Sequence, residues 1–375
     1  MTQIQEMKKT NIVFCGDKEI TLSDEQVRNR DFVCNWASTK DSKQCIKMGG
    51  PAGTGKTVAI KAIVDSLQDL GIVVGIAAFT GKAVSVLRRK GLYSAQTLHS
   101  MLYNFNEETQ EFVRRATIPY KVVVVDEGST VDSELNADLL SFGCKVLYVG
   151  DPFQLEPVGE NPNLMRDPDL RLVNIHRQAL KSPIISFATI LREEREFEYG
   201  HIGDELAIIP HHDFWEYVNK VDQVVCGFNA TRHLINTRIR SARKLGGVLD
   251  LGDKIICLKN NVQRGVFNGL MGTVTSITEV TSRYIYADVE DELNVKHVGV
   301  KMMLDQFGSN NRDFSGSRDK TLTYWDYGYG ITCHKAQGSE WDSVLVLQEI
   351  HSNWEPSRWA YTAVTRAAKK LVYAC

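Results

Sequence analysis

Apolar residues along the chain fall into two kinds of run. Short unbroken runs at 72–78, 122–125 and 145–149 predict strands buried on both faces, because they lack the polar alternation of a half-exposed sheet. Between and before them the spacing turns helical. Ile60, Ile63, Val64, Leu67 and Leu70 share one face up to Gly71, a C-terminal stop. Residues 22–37 predict a helix opened by Ser23, with Gln26 at the third helical position to form a capping box. A short helix is expected at 81–90. After about residue 180 the alternation recurs: a helix over 183–198, a strand over 224–228, a helix from Asn229, and strands at 344–348 and 371–374 flanking a helix from near Pro356. Strands alternating with helices predict an α/β fold with parallel sheets. Residues 253–325 break the rule. Their short, β-branched, turn-punctuated stretches predict a small antiparallel insertion.

A chain of 375 residues accommodates roughly two to three such units. The formal net charge of −2 excludes a basic footprint over the whole surface and leaves room for a local basic channel. Eight scattered cysteines, with no C-x-x-C pair and no zinc spacing, read as thiols in a reducing compartment. The first twenty residues hold no apolar core for a signal peptide, and no run reaches membrane-spanning length. A soluble, cytoplasmic protein is expected.

The chemistry concentrates at strand ends. Gly50-Pro51-Ala52-Gly53-Thr54-Gly55-Lys56-Thr57 fits the phosphate-binding P-loop, and the helical run after it aims a helix N-terminus at the phosphates. Lys56 would reach the β- and γ-phosphates of ATP, and the Thr57 hydroxyl would ligate Mg²⁺. Asp126 and Glu127 close the valine run: the first suits Mg²⁺, the second the attacking water. Gln154, after the next strand, is placed for the γ-phosphate. Thr80 and Lys82 in "FTGKA", Thr97 and His99 in "QTLHS", and Thr332, His334 and Lys335 in "YGITCHKAQG" offer hydroxyls and cations that hold a nucleic-acid backbone without reading bases. Gln337, Gly338 and Glu340 would face the nucleotide from the second half. Arg366 in "YTAVTRA" and Arg177 in "NIHRQ" are candidate arginine fingers. Glu127, Arg366 and a second α/β half disfavour a plain kinase.

This ordered set resembles the superfamily 1 DNA helicases of the RecD/Dda/Pif-like branch, over nearly the whole chain from Gln26 to Arg366. "GDPFQLEPVG" at the third motif separates it from UvrD-like members. The resemblance implies two RecA-like domains, 1–178 and 179–375, with a short pin-like insertion at about 101–120 and a small β-barrel-like insertion at about 270–325. It implies that Gln26 reads adenine, and it puts Asn268 of "VFNGLMGTV" on the nucleic-acid path. It further implies ATP-driven 5′→3′ movement on single-stranded DNA and at duplex junctions, a monomer, and work in replication, recombination or repair beside protein partners. A nucleic-acid-stimulated ATPase that remodels protein–DNA complexes and an RNA-directed helicase stay open as alternatives. The compact chain suggests a viral or mobile-element source, hence host cytoplasm. Two departures stand out: Phe79 occupies a position where the family usually has proline, and Gly128 directly follows the acidic pair. The pin segment is only about twenty residues, with Tyr103 or Phe105 as the expected wedge.

Overall fold

Four consecutive valines, Val122 to Val125, are at most 1 % exposed. They form the strand Val122–Asp126 inside a six-stranded sheet, and such a strand survives only where helices cover both faces. The computed structural model describes residues 11–375 apart from 107–110, 157–163, 176–180, 260, 262, 263, 265, 267, 293, 310–318 and 320. The sheet order is Leu170–Arg171, Cys45–Gly49, Lys145–Gly150, Val122–Asp126, Val74–Ala78, Gln96–Thr97, parallel throughout. One face packs under helices Asp24–Ser38, Lys56–Asp69 and Gly81–Arg89; the other packs under Leu98–Leu102 and Ser133–Leu140.

A second sheet runs Gly200–Ile202, Leu206–Ile209, Ala367–Ala374, Trp341–Leu347, Gln223–Cys226, Gly330–Thr332, and only its first pair is antiparallel. Helices Pro183–Arg192 and Pro356–Val364 cover one face, and Asn229–Ala242 the other. The third sheet is the β-rich insertion. It begins at Lys254–Cys257 and continues through Met271–Val280, Tyr284–Asp291 and Lys296–Met303, antiparallel neighbours closed by Trp325–Tyr327 at one edge. This is the α/β layout the alternation predicts. The expected boundary at 178/179 falls outside the described residues. No described helix is long and apolar enough to cross a membrane, and all eight cysteines are free thiols.

Local signals set the element ends. The Ser23 hydroxyl accepts the Gln26 N–H while the Gln26 side chain accepts the Ser23 N–H, the expected capping box. Gly71 is left-handed at φ 71°, with Gly71 N–H on Gln68 O and Ile72 N–H on Leu67 O. That closure takes up Ile72, so the following strand starts at Val74 rather than at 72. The helix expected over 183–198 stops at Arg192 for the same reason. Glu194 turns left-handed at φ 54°, and Arg195 N–H closes on Ile190 O. The expected pin is a hairpin, Tyr103–Asn106 against Glu111–Arg114, whose tip lies outside the described residues. Tyr103 is not the wedge. It sits at the hairpin base opposite Arg114, half-buried, with its hydroxyl on the Asp138 carboxylate and its ring over His99. The Phe105 side chain lies outside the described residues.

Buried ion pairs fasten the insertion to the second sheet. Arg240 on helix Asn229–Ala242 donates to Asp253 (2.9 Å), Asp250 (2.9 Å) and the Tyr327 hydroxyl (2.9 Å), and Arg232 donates to Asp326 (2.7 Å). Asp253 is wholly buried. Removing one partner strands the other's charge, so Arg240→Ala is expected to lower stability by about 3–5 kcal/mol in denaturant unfolding. A loss below about 1 kcal/mol would show that the network is not what holds the insertion.

Candidate nucleotide site and strand cleft

The loop after strand Cys45–Gly49 is shaped by glycine where nothing else fits. Gly53 and Gly55 are left-handed, at φ 83° and 75°. A Cβ on Gly50 would fall 2.7 Å from Thr54 Oγ1 and 2.9 Å from Leu172 Cβ. The Thr54 hydroxyl pins the turn by donating to Pro51 O (2.8 Å). Lys56, the first residue of helix Lys56–Asp69, folds its ammonium back onto Gly50 O (2.9 Å) and Pro51 O (3.2 Å) and stands 3.9 Å from Asp151 Oδ2. A cation and a helix N-terminus thus converge on one concave loop, an anion site by construction. Gln26 braces the loop from behind. Its Nε2 donates to Gly55 O (3.2 Å), its Oε1 serves the capping box, and it is 1 % exposed, so its amide is engaged rather than open to a base.

The acidic pair lies at the end of the central strand. Glu127 is left-handed at φ 54°, a conformation unfavourable for a residue with a Cβ and typical of functional turns. Its N–H is held by Asp126 Oδ1 (3.0 Å), and its carbonyl accepts the Thr130 hydroxyl (2.7 Å). Burial, then the neighbouring Glu127 carboxylate, push the Asp126 carboxyl up to about 7, against the pull of Lys56. Among the described residues, Glu127 Oε2 and Gln154 Oε1 are buried without a hydrogen-bond partner. Two clustered carboxylates, the first of them disfavoured in its charged form, with an orphaned acceptor, fit a divalent cation and an ordered water. Thr57 and Asp126 are the residues that would hold the cation.

Helix Pro356–Val364 of the second sheet crosses to this loop. The Tyr361 hydroxyl accepts the Ala52 N–H (2.8 Å) and donates to Asp151 Oδ2 (2.6 Å). Burial, then the Asp151 charge, hold the phenol well above its ordinary value, so it stays a donor. One residue on, Thr362 Oγ1 accepts the Leu155 N–H (2.8 Å); Arg358 reaches Gln154 O (3.4 Å), and Gln337 donates to Leu155 O (2.5 Å). Positions 358, 361 and 362 share a helix face, a signal that i, i+3, i+4 spacing carries in the sequence. Arg366 is 5 % exposed and turned inward, donating to Thr362 O (3.0 Å), Ser339 O (3.2 Å) and Thr365 Oγ1 (3.2 Å). Arg177 lies outside the described residues. Gly338 stands beside Thr80, to which its Cβ would come within 3.2 Å, and Glu340 is exposed.

Five of the nucleic-acid candidates, Thr80, Asn268, Thr332, His334 and Lys335, line a second cleft of about 540 Å³ between the sheets; Thr97 and His99 are not part of its lining. Thr80 and Thr97 cap their helices, accepting from Ala83 N–H (3.1 Å) and Ser100 N–H (3.2 Å). His99 packs between Phe79 and Tyr103. Burial lowers the pKa of His99 and of His334, favouring neutral rings. Lys335 donates to the exposed Asn268 side chain. Nothing is described of the Lys82 side chain.

Two largely parallel sheets that meet at a P-loop cleft, a β-rich insertion and motifs in this order resemble those of the superfamily 1 helicases of the RecD/Pif-like branch. Residues 22–205 match the AAA domain model, and 327–373 match the UvrD-like helicase C-terminal domain model. The chain is 29 % identical to the ATP-dependent RecD2 DNA helicase of Deinococcus radiodurans over 93 % of its own length and 48 % of that protein's. It is 34 % identical to the ATP-dependent DNA helicase dda of Enterobacteria phage T4, over 32 % of this chain and 30 % of that one. It therefore spans half or less of these relatives. In fold it is similar to a structure of two coordinating Pif1 helicases on forked double-stranded DNA, with a TM-score of 0.57 at 18 % identity, covering 95 % of this chain and 92 % of that one.

The raised Asp126 carboxyl has a measurable consequence. An acid whose folded pKa exceeds its unfolded value of 3.8 destabilises the fold as pH climbs from that value through about 7. In protein free of nucleotide and Mg²⁺, Asp126→Asn is expected to leave the melting temperature unchanged near pH 4 and to raise it increasingly up to pH 8. Each unit of pKa difference corresponds to about 1.4 kcal/mol. A difference that is flat with pH would contradict the assignment.

Proposed function

We propose that the protein is an ATP-dependent helicase that moves 5′→3′ on single-stranded DNA and opens duplex junctions. The observation that carries this reading is the Tyr361 hydroxyl on Ala52 and Asp151: a phosphate entering the loop meets a contact made by the other domain, so nucleotide state and cleft width are linked. Lys56 takes the β- and γ-phosphates, Glu127 orients the attacking water, and Gln154 senses the γ-phosphate. Thr57 and Asp126 hold Mg²⁺, which neutralises charge on the phosphates when bound. Arg366 and Arg177 supply the arginine charge. Gln337 ties the two halves through Leu155. Thr80, Lys82, Thr97, His99, Asn268, Thr332, His334 and Lys335 hold the strand by its backbone. Its similarity to RecD2 and dda, both ATP-dependent DNA helicases, supports the same activity. Monomeric action and partners in replication, recombination or repair belong to this proposal.

Arg366 must exchange its carbonyl partners for the γ-phosphate during closure. Arg366→Ala is therefore expected to slow ATP turnover by roughly 10³–10⁵-fold with single-strand affinity kept, beside a lower melting temperature from the three hydrogen bonds it gives up. A destabilised variant that hydrolyses ATP normally would assign the side chain to its bonds with Thr362 and Ser339 instead.

Matched duplexes carrying a 5′ or a 3′ single-stranded tail test the movement. Unwinding of the 5′-tailed duplex is expected. Unwinding of only the 3′-tailed one reverses the direction. Strand-stimulated ATPase with neither duplex opened favours remodelling of protein–DNA complexes, and stronger stimulation by single-stranded RNA than by DNA favours the RNA-directed reading.

A further inference from the structure

We infer that strand Gly200–Ile202, the open edge of the second sheet, is a docking edge for a basic, extended segment of a partner protein, which adds a strand to the sheet. This goes beyond the proposed motor activity and does not depend on it. The strand pairs antiparallel with Leu206–Ile209 on one side, and among the described residues no strand pairs with its other side. Such an edge presents backbone donors and acceptors that a further strand can take up. Its three residues are exposed, whereas the strand behind it is buried throughout. Tyr199 and Ile202, at the two ends, are 61 % and 55 % exposed, so each end offers apolar surface to a partner side chain.

The edge is fixed in place on both sides of its short strand. Phe197 packs edge-on against the buried rings of Phe187 (5.2 Å) and Tyr373 (6.2 Å). The Tyr199 hydroxyl donates to Cys375 O (3.2 Å), and Glu205 O accepts the Leu371 N–H (2.7 Å). A strand held this way loses little further freedom when a partner pairs with it.

Charge selects the occupant. Residues 193–205 carry six carboxylates against Arg195, a net of −5 in a chain whose formal total is −2. All six acidic residues are exposed. Glu193 is paired with Arg192 and Arg195; among the described residues Glu194, Glu196, Glu198, Asp204 and Glu205 enter no ion pair. A second copy of this chain would bring two such segments together, and like charges facing each other across a strand pair repel. Nucleic acid is repelled for the same reason. A segment rich in lysine or arginine is attracted, and its alternate side chains can reach the flanking carboxylates while its backbone pairs. The carboxylates flank the strand and none lies within it, so the backbone of Gly200, His201 and Ile202 is left for pairing.

The test uses the full chain without nucleotide or DNA, so its result leaves the motor reading untouched. A short fluorescein-labelled peptide of alternating lysine and valine is titrated and followed by anisotropy. It is expected to bind, and the counterpart with glutamate for lysine is expected not to. The variant Glu196→Gln/Glu198→Gln/Asp204→Asn is expected to bind the basic peptide at least about 10-fold more weakly, because most of the unpaired charge is gone. Methylating alternate backbone nitrogens of the basic peptide keeps its charge and removes its edge hydrogen bonds. That peptide is expected to bind the unsubstituted protein at least roughly 5-fold more weakly, the worth of one net hydrogen bond. Equal binding of the two basic peptides reduces the contact to adsorption by charge and overturns the inference, as does unchanged affinity in the variant. A variant that self-associates, beside an unsubstituted protein that binds no basic peptide, shows carboxylates that only guard the edge against other copies, and the docking edge is again refuted. Should the triple variant unfold, the single exposed substitution Ile202→Lys is expected to weaken binding in the same direction, and an unchanged affinity counts against the edge.

Discussion

One hydroxyl joins the two halves of this molecule at the point where phosphate chemistry is concentrated. Tyr361 bridges the Ala52 amide of the P-loop and the Asp151 carboxylate, both on the first sheet, from a helix packed on the second. Asp151 is 1 % exposed, so its charge needs compensation, and Lys56 at 3.9 Å is too far to give a hydrogen bond. The phenol supplies one. Leu155 reinforces the junction from the next turn, giving its N–H to Thr362 and its carbonyl to Gln337. Domain position is therefore set by hydrogen bonds to the same segments that surround the phosphate loop. An apolar interface would hold the halves together as well, but it would not register what enters the loop.

The loop gathers groups that suit a bound polyanion. Lys56 turns to its own loop carbonyls, Asp126 is driven towards its neutral form, Glu127 keeps a strained left-handed backbone, and, among the described residues, two buried oxygens lack partners. Each of these is unfavourable alone. Together they are relieved by one polyanion with a divalent cation and a water, which is why they cluster at three strand ends of a single sheet. A fold that only needed stability would place apolar residues or hydrogen-bonded pairs there.

How far this was legible in the sequence depended on range. The valine strand, the Ser23–Gln26 capping box, the Gly71 stop and the glycine loop are local, and each was readable from a few adjacent residues. The overlong helix at 183–198 failed because a left-handed Glu194 is invisible where glycine would have been a signal. Tyr103 sits at the base of the hairpin because its bond to Asp138 depends on the packing of a later helix, which no neighbouring residue signals. Tyr361 and Thr362 belong to the short stretch "YTAVTRA", yet their partners lie more than 200 residues earlier in the chain. Glu349 illustrates the limit best. Nothing in its neighbourhood marks it as the acceptor of the two amides that lead into helix Asn229–Ala242.

That carboxylate and the inward-turned Arg366 point to one conclusion about how the second domain divides its work. Glu349 follows strand Trp341–Leu347 and neutralises the turn into helix Asn229–Ala242; Arg366 precedes strand Ala367–Ala374 and gives a hydrogen bond to Ser339, just before Trp341. The two strands are parallel neighbours in the sheet. One end of this strand pair therefore carries a carboxylate that holds the two amides just before helix Asn229–Ala242, and the other carries a guanidinium that, under the proposed function, is drawn to phosphate in the loop. A shift of the pair as one rigid piece would move both groups together. Under the proposed function, an event at the nucleotide then reaches the start of that helix through strand pairing in one sheet.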